Sequence, residues 1–174
     1  RIQAWVDCRA ALDTETGAMA PVGAPVQGIG VVTTNSAQES YALAPGGNFF
    51  LQTNEFSDTI SVYRLDPLSG ELTGVPGSPF VTGDAPRSVA VDPRGEFAYV
   101  NNAGTPRSIS GYRLDPVSGG LIPLAGSPFS LAFQPAQIVL DPSGSFAYIS
   151  TVSVGPTVTQ LATYSIDRVT GNLT

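Results

Sequence analysis

The 174-residue sequence contains neither histidine nor lysine, so all eight of its basic residues are arginines. These arginines are scattered along a chain whose formal net charge is −6. No basic stripe exists that could neutralise the phosphates of a nucleic acid, and no polybasic segment indicates an anionic membrane surface. Without histidine, no mechanism that depends on an imidazole can operate from this stretch.

Sequence elements typical of several other classes are missing as well. The single cysteine, Cys8, excludes an internal disulfide and is expected to be a buried thiol. No apolar run is long enough to span a bilayer, and none resembles a signal peptide. The Gly-x-Ser-x-Gly elbow and the lysine-bearing phosphate loop are absent, and the glycine pair at 28–30 is too short for a dinucleotide fingerprint. We therefore predict no metal and no cofactor.

What the sequence does contain is a repeat with a period of about fifty residues. The turn LDPLSG at 65–70 returns as LDPVSG at 114–119, and more loosely at 12–17 and 166–171. The motif GSPF occurs at 77–80 and at 126–129, and DPRGEFAY at 92–99 returns as DPSGSFAY at 141–148. Three motifs that keep one order and one spacing indicate either propeller blades or a helical array.

The local sequence pattern favours β-strands over helices. Runs such as 88–91 and 97–100 are rich in Val, Tyr and Phe and are closed by Asp-Pro, Ser-Gly or Gly-Ser-Pro turns. Prolines interrupt every stretch that would be long enough for an amphipathic helix. We predict an all-β protein, a β-propeller of four-stranded antiparallel blades. The best-defined blade has expected strands at 88–92, 97–103, 108–115 and 120–129.

The repeats divide the chain into four units, which we number as blades. Blade 1 (2–27) contains the last two strands of a blade, with Trp5 in an aromatic slot. Blade 2 (39–80) and blade 3 (88–129) are complete, and blade 4 (138–174) ends where its fourth strand should begin. These 13 expected strands do not form whole blades, and each end of an open array leaves an unpaired edge and a bare apolar face. We therefore expect further blades, from a longer chain or from a partner, to complete a partial propeller.

Two sets of recurring residues are assigned to structure. Aspartates at the turns are expected to accept backbone N–H bonds; they are Asp13, Asp66, Asp92, Asp115, Asp141 and Asp167. The recurring aromatic residues are expected to pack within or between the blades; they are Tyr63, Tyr112, Tyr164, Phe80, Phe97, Phe129 and Phe146.

The segments ISVYRLD at 60–66 and SVAVDPRGEFAYVNN at 88–102, with the GSPF motifs, resemble the YVTN-type repeats of the lactonase-like seven-bladed β-propeller family. That family includes 6-phosphogluconolactonase and the fungal carboxymuconate cyclase. The resemblance covers nearly the whole chain and implies seven blades, of which about three and a half are present here. It also implies a lactonase-like hydrolase as one candidate activity.

In the family pattern, Pro-Arg-His opens the first strand of a blade and Asn-Glu closes the second. The arginine would hold a carboxylate or a developing oxyanion, and the histidine or glutamate would move a proton or activate water. In blade 3, Pro86 and Arg87 match this pattern, but Ser88 stands in the histidine place and Ala103 in the glutamate place. The other blades do not restore the set: blade 2 has Asn54-Glu55 but Glu39 in the arginine place, and blade 4 has Pro135, Ala136, Gln137 and Val152.

The catalytic residues are therefore unknown, and the candidates that remain are ligand-binding ones at one end of the central channel. They are Arg87, Glu55, Asn54, Asn101, Asn102 and Ser88. Each has a structural alternative. Arg87 would be a strut between blades that pairs with a carboxylate or a loop carbonyl, Glu55 would be a solvated loop carboxylate, and the asparagines would satisfy their own turns.

Two functional classes stay open. The first is a secreted or periplasmic binding or scaffold module that holds a protein partner or a small carboxylate or lactone. The absence of lysine, the low charge and the loops rich in Gly, Ser, Thr and Pro are compatible with an extracellular or periplasmic location. The second is a lactonase-like hydrolase whose site lies mainly in other blades. A Pro-Arg-His blade elsewhere would favour the enzyme.

Overall fold

The structure is a computed structural model that describes residues 10–12, 15, 19–21, 40–151 and 160–174. The expectations for Trp5, Cys8 and Asp13 lie outside these residues. Apart from a single 3-10 turn at Glu55–Ser57, the regular elements of the described part are β-strands. All of their pairings are antiparallel, which confirms the predicted all-β class.

The strands fall into four sheets, one for each blade. Blade 1 contains β1 (Ala10–Leu12) and β2 (Met19–Pro21). Blade 2 contains β3 (Tyr41–Leu43), β4 (Phe49–Asn54), β5 (Thr59–Leu65), β6 (Leu72–Gly74) and β7 (Phe80–Val81). Blade 3 contains β8 (Pro86–Val91), β9 (Phe97–Asn102), β10 (Ser108–Leu114), β11 (Leu121–Pro123) and β12 (Phe129–Ser130). Blade 4 contains β13 (Pro135–Leu140), β14 (Phe146–Thr151) and β15 (Leu161–Ser165).

Each sheet is a meander in which consecutive strands are neighbours. The orders are β3-β4-β5-β6 in blade 2, β8-β9-β10-β11 in blade 3 and β13-β14-β15 in blade 4. An isolated bridge between Ile166 and Leu173 continues blade 4 beyond β15. Short turns join the strands, as the Asp-Pro and Ser-Gly signals predicted, and this order is that of propeller blades.

The fourth strand of a blade was predicted as one segment, and this was wrong. In blade 3 it is divided into β11 and β12, which both pair with β10. The Gly126-Ser127-Pro128 turn lies between them, with a cis peptide bond before the proline. Proline has no N–H to offer the ladder. The Ser127 Oγ instead accepts the N–H of Gly111 at 2.9 Å, so the recurring motif is a built-in interruption of the strand.

Blade 2 is divided in the same way, where the Ser78 Oγ accepts the N–H of Val62 at 2.9 Å. Because of these two interruptions, the described residues alone contain fifteen strands. The expectation for the whole chain was thirteen.

The turn aspartates do what their position predicts. The Oδ1 of Asp66 accepts the N–H groups of Ser69 and Leu68 at 2.9 and 2.8 Å. Asp115 and Asp167 accept the corresponding two N–H groups in blades 3 and 4. These backbone hydrogen bonds favour the ionised carboxylate, and they lower the pKa of all three side chains.

The core of the molecule lies between the blades rather than inside any one of them. On β9, Ala98 and Val100 pack with the apolar residues of blade 2. Phe97 and Tyr99 point to the other face and pack with Ile138 and other apolar residues of blade 4. Successive side chains of a strand alternate between its faces, so blade 3 contributes one face to its interface with blade 2 and the other to its interface with blade 4.

Two tyrosine hydroxyls form hydrogen bonds across these interfaces. Tyr99 donates to the carbonyl of Gly171 in blade 4 at 2.7 Å, and Tyr112 donates to the carbonyl of Val81 in blade 2 at 2.5 Å. Burial raises the pKa of both phenols, so the two side chains keep the proton that they donate.

Two arginines also join neighbouring blades, a role that we did not anticipate. Arg64 lies over the ring of Phe49, 4.9 Å from its centroid, and donates to the Val117 carbonyl of blade 3. In blade 3, Arg113 lies 4.8 Å from the centroid of Phe97 and donates to a carbonyl of blade 4. Arginine suits this place because its planar group stacks on a ring and still donates at its edge. The signal in the sequence was the recurring Tyr-Arg-Leu at 63–65 and 112–114.

The prediction that the recurring aromatic residues pack within or between blades is untested for Phe146. Phe97 is fully buried, but Phe146, at the same place in blade 4, is 43% exposed. Val139 and Leu161 are exposed as well. These side chains lie on the face of blade 4 that points away from blade 3, which we call the outward face of blade 4. No described residue covers this face.

Candidate functional site

The structure brings together two of the predicted site residues, Arg87 and Glu55. Arg87 is the second residue of β8 in blade 3, and Glu55 begins the 3-10 turn that follows β4 in blade 2. The Arg87 Nε lies 2.9 Å from the Glu55 Oε1. Their side chains are 28% and 10% exposed, respectively. The ion pair therefore joins two adjacent blades and is partly open to solvent.

The loops around the pair explain why the two residues meet. The 3-10 turn ends at Asp58, which has a left-handed backbone with φ of 53°. The Asp58 carboxylate accepts the N–H of Ala85 at 2.9 Å, and its carbonyl accepts the N–H of Thr82. These bonds hold the segment that leads into β8 against the loop that follows β4. Arg87 is thereby brought next to Glu55.

The pair agrees with one structural alternative and overturns the other. Arg87 does pair with a carboxylate across a blade boundary, as expected for a strut. Glu55, however, is not the solvated loop carboxylate that was considered. Among the described residues, the Nε atom is the one guanidinium nitrogen of Arg87 that bonds to a protein group. The remaining donors of this partly exposed group suit a ligand carboxylate.

Asn54 and Asn102 are committed to the hairpins that they close. The Asn102 Nδ2 donates to the hydroxyls of Ser108 and Ser110 at 3.0 and 2.9 Å. The Asn54 Nδ2 makes the same two bonds in blade 2, to Thr59 and Ser61. Both asparagines are buried. Their amides therefore tie the second strand of a blade to the third, as the turn alternative predicted.

Ser88, in the family's histidine place, joins two blades. Its side chain is buried, and its Oγ accepts the N–H of Ile138 in blade 4 at 3.2 Å. Ser40 does the same one blade earlier, where its Oγ accepts the N–H of Val89 at 3.4 Å. At the position where the family pattern has a histidine, Ser88 thus forms a hydrogen bond that links the first strands of blades 3 and 4.

Asn101 differs from its neighbour. It is fully buried, and within the described chain neither its Nδ2 nor its Oδ1 has a hydrogen-bond partner. Ala103, in the family's glutamate place, is buried and donates its N–H to the carbonyl of Ala85. The six predicted residues therefore separate into one partly exposed ion pair, three structural side chains and one unpaired buried amide.

Neither a metal-binding cluster nor a membrane-spanning helix occurs among the described residues. They contain no group of three or more His, Cys, Asp and Glu side chains close enough to share a metal ion. Among them there is also no helix with the length and apolar character needed to cross a membrane.

Successive four-stranded meanders that pack face to face and present polar strand ends on one side define a β-propeller. Residues 11–130 match the model of the family described as lactonase, 7-bladed beta-propeller. The chain belongs to this lactonase-like propeller family, as the repeat motifs predicted. No curated protein matches the sequence.

Solved structures share the fold at low sequence identity. A candidate 6-phosphogluconolactonase from Bacteroides uniformis is 20% identical with a TM-score of 0.73, over 95% of this chain and 48% of that one. The periplasmic gluconolactonase PpgL from Pseudomonas aeruginosa is 20% identical with a TM-score of 0.65, over 94% of this chain and 47% of that one.

An auxiliary nutrient binding protein from Bacteroides thetaiotaomicron is also similar. It is 16% identical with a TM-score of 0.59, over 95% of this chain and 35% of that one. The present chain thus spans about half the length of the first two structures. Likeness at this level of identity establishes the shared fold, and fold alone does not fix an activity.

Proposed function

We propose that this part of the propeller is a binding module for a small ligand that carries a carboxylate and hydroxyl groups. The observation that carries the proposal is the Arg87–Glu55 pair, which is partly exposed and joins blades 2 and 3. A guanidinium with free donors binds a carboxylate in a fixed geometry. The adjacent Glu55 carboxylate can accept hydrogen bonds from ligand hydroxyls.

The side chains in the other family positions favour binding over catalysis. Ser88 uses its hydroxyl to accept the N–H of Ile138, and Ala103 has no polar side chain. A lactonase needs a group that activates water or moves a proton. In the described blades, Glu55 is the one acid at a family motif position, and Arg87 already engages it.

The ligand class is a sugar acid or its lactone, and the test is calorimetric titration with gluconate and with glucono-δ-lactone. We expect Arg87→Gln to weaken gluconate binding by about tenfold or more, because a charge-assisted hydrogen bond contributes about 1.5–3 kcal/mol. Arg107→Gln is the matched control, since Arg107 is exposed and the charge change is identical. Equal losses in both variants, or no binding by the unmodified chain, would contradict the proposal.

A lactonase-like hydrolase is the second candidate, and the gluconolactonase PpgL and the candidate 6-phosphogluconolactonase support it by their names. The test is the rate of glucono-δ-lactone opening, followed by acid release in weakly buffered solution. For a binding module, the rate equals that of buffer alone. An enzyme would open the lactone faster than buffer alone. Glu55→Gln would abolish that excess rate, and Arg107→Gln would preserve it.

We also propose that the outward face of blade 4 packs against a further propeller blade. The support is internal to the molecule, because Phe97 and Tyr99 of blade 3 occupy the same places as Phe146 and Tyr148 and are fully buried by blade 4. A blade whose turn accepts the Tyr148 hydroxyl would fit this face, as Gly171 accepts that of Tyr99.

The test of this packing uses two single substitutions, each introduced into the full-length protein. We expect Phe146→Asp to lower the melting temperature, since it would place a charge inside an interface. Leu68→Asp is the control, because Leu68 is 98% exposed at a turn. An equal melting temperature for the two variants would show that nothing packs on Phe146.

We further propose an extracellular or periplasmic location. The lysine-free, weakly charged composition is compatible with this location, and the similar PpgL is periplasmic by its name. Cell fractionation of the native source with an antibody against the chain tests the location. Recovery in the cytoplasmic fraction alone would contradict it.

A further inference from the structure

Asn101 is a buried amide that the surrounding protein leaves unsatisfied. It is 0% exposed, and in the described chain neither amide atom finds a partner. Its amide can donate two hydrogen bonds and accept two. Leaving a buried polar group unpaired costs on the order of 1–3 kcal/mol. Natural proteins rarely retain this arrangement unless an ordered water, an ion or a function accounts for it.

The other blades show that the fold does not require this arrangement. The place of Asn101 is taken by Thr53 in blade 2 and by Ser150 in blade 4. The Thr53 Oγ1 accepts the N–H of Ser40 at 2.9 Å, and the Ser150 Oγ accepts the N–H of Gln137 at 3.1 Å. Each of these short hydroxyl side chains therefore forms a hydrogen bond with a backbone N–H at the first strand of its own blade. The longer amide of Asn101 makes no such bond.

The residue directly across from Asn101 supplies a further polar group. Ser88 on β8 is in register with Asn101 on β9, and side chains directly opposite each other have Cβ atoms about 5 Å apart. The Ser88 Oγ accepts the N–H of Ile138 in blade 4. In the described part of the molecule, its own hydrogen has no acceptor. Asn101 and Ser88 together form what we call the Asn–Ser cell, which lies between blades 3 and 4.

We propose that the Asn–Ser cell binds one ordered water molecule. The water accepts hydrogen bonds from the Ser88 hydroxyl and the Asn101 Nδ2, and donates one to the Asn101 Oδ1. Three hydrogen bonds are the usual number for a buried water. The complete burial of Asn101 leaves no open path for a bulky ligand. The water thus occupies the part of the site where the family pattern places a histidine ring.

The experiment is a crystal structure at a resolution that shows ordered solvent, for the unmodified chain and two reciprocal variants. Asn101→Thr copies blade 2, and we expect the solvent peak to disappear and the new hydroxyl to accept the N–H of Ser88. Thr53→Asn creates a second Asn–Ser pair, with Ser40, and we expect a new solvent peak between blades 2 and 3.

The outcomes are distinct. Solvent bonded to both Asn101 and Ser88 in the unmodified chain, together with loss of the peak in Asn101→Thr, supports the proposal. Direct bonds from the Asn101 amide to protein groups, with no solvent beside it, would overturn it. If Asn101→Thr fails to fold, the unmodified chain and Thr53→Asn still test the proposal. The absence of solvent both at the Asn–Ser cell and beside position 53 and Ser40 of the Thr53→Asn variant would also overturn it.

Discussion

Arg87 and Ser88 are neighbours in sequence with opposite roles. The guanidinium of Arg87 pairs with Glu55 of the preceding blade and remains partly exposed. The hydroxyl of Ser88 is buried against the following blade, where it accepts a backbone N–H. The first is available to a ligand, and the second holds the molecule together. At the position where the family pattern has a histidine, this chain therefore has Ser88, whose role is structural.

At this scale we predict that Ser88→Ala destabilises the chain without removing any exposed group. The N–H of Ile138 would lose its acceptor inside the protein, which costs about 1–3 kcal/mol. Urea unfolding at neutral pH measures the loss. Ser57→Ala is the control, because Ser57 is exposed and surface changes usually stay within about 0.5 kcal/mol. Equal midpoints for Ser88→Ala and the unmodified chain would show that the bond between the blades contributes nothing.

At the scale of the single element, the turns are stabilised by carboxylates that act on their own neighbours. Asp141 between β13 and β14 is the strongest case. Its carboxylate accepts the hydroxyl of Ser143 at 2.5 Å and the N–H groups of Phe146, Ser143 and Ser145. The Ser143 hydroxyl has the largest effect, and together these bonds lower the pKa of Asp141 from 3.8 to about 2.

A pH dependence follows from this shift. Because the folded pKa lies below the unfolded one, the stabilisation by Asp141 is fully present above pH 3.8 and is lost as the pH falls through about 2. We expect Asp141→Asn to melt at a lower temperature than the unmodified chain at neutral pH. The difference should shrink as the pH falls from about 4 to 2. Thermal melts across that range test this, and a constant difference would show that charge is not the cause.

At the scale of the whole molecule, stability depends on how one blade meets the next. Gly171, in the last turn of blade 4, has φ of 76° and lies so close to Phe97 that an added Cβ would be 2.6 Å from the ring. The carbonyl of the same residue accepts the hydroxyl of Tyr99. The turn of one blade therefore packs directly on the aromatic face of its neighbour.

We predict that Gly171→Ala is much more damaging than Gly47→Ala. Both glycines have positive φ, 76° and 72°, so each substitution carries a similar backbone cost of about 1–2 kcal/mol. No atom lies within 4 Å of a Cβ at Gly47. Crowding against Phe97 should add about 1–3 kcal/mol for Gly171→Ala alone. Denaturant unfolding of both variants measures the difference. Equal losses in the free energy of unfolding would mean that Phe97 moves aside for the added methyl group at no cost.

Local signals in the sequence account for the features that arise within a few residues. The Asp-Pro and Ser-Gly turns, the strands between them and the fifty-residue period all depend on local backbone preference and on side chains that bond two or three positions away. These features were enough to predict the four-stranded blades and the family. The division of the fourth strand was missed, because the pairing of Ser127 with Gly111 crosses a hairpin and leaves no mark beyond the Gly-Ser-Pro itself.

The contacts between blades are visible only in the three-dimensional structure. Glu55 and Arg87 are 32 residues apart, and Ser88 and Ile138 are 50 apart, so their partners depend on how whole sheets pack. Phe97 and Phe146 stand in matching motifs, yet the first is buried and the second is 43% exposed. A repeat motif specifies the fold of a blade, whereas burial and pairing depend on whether a neighbouring blade covers that face.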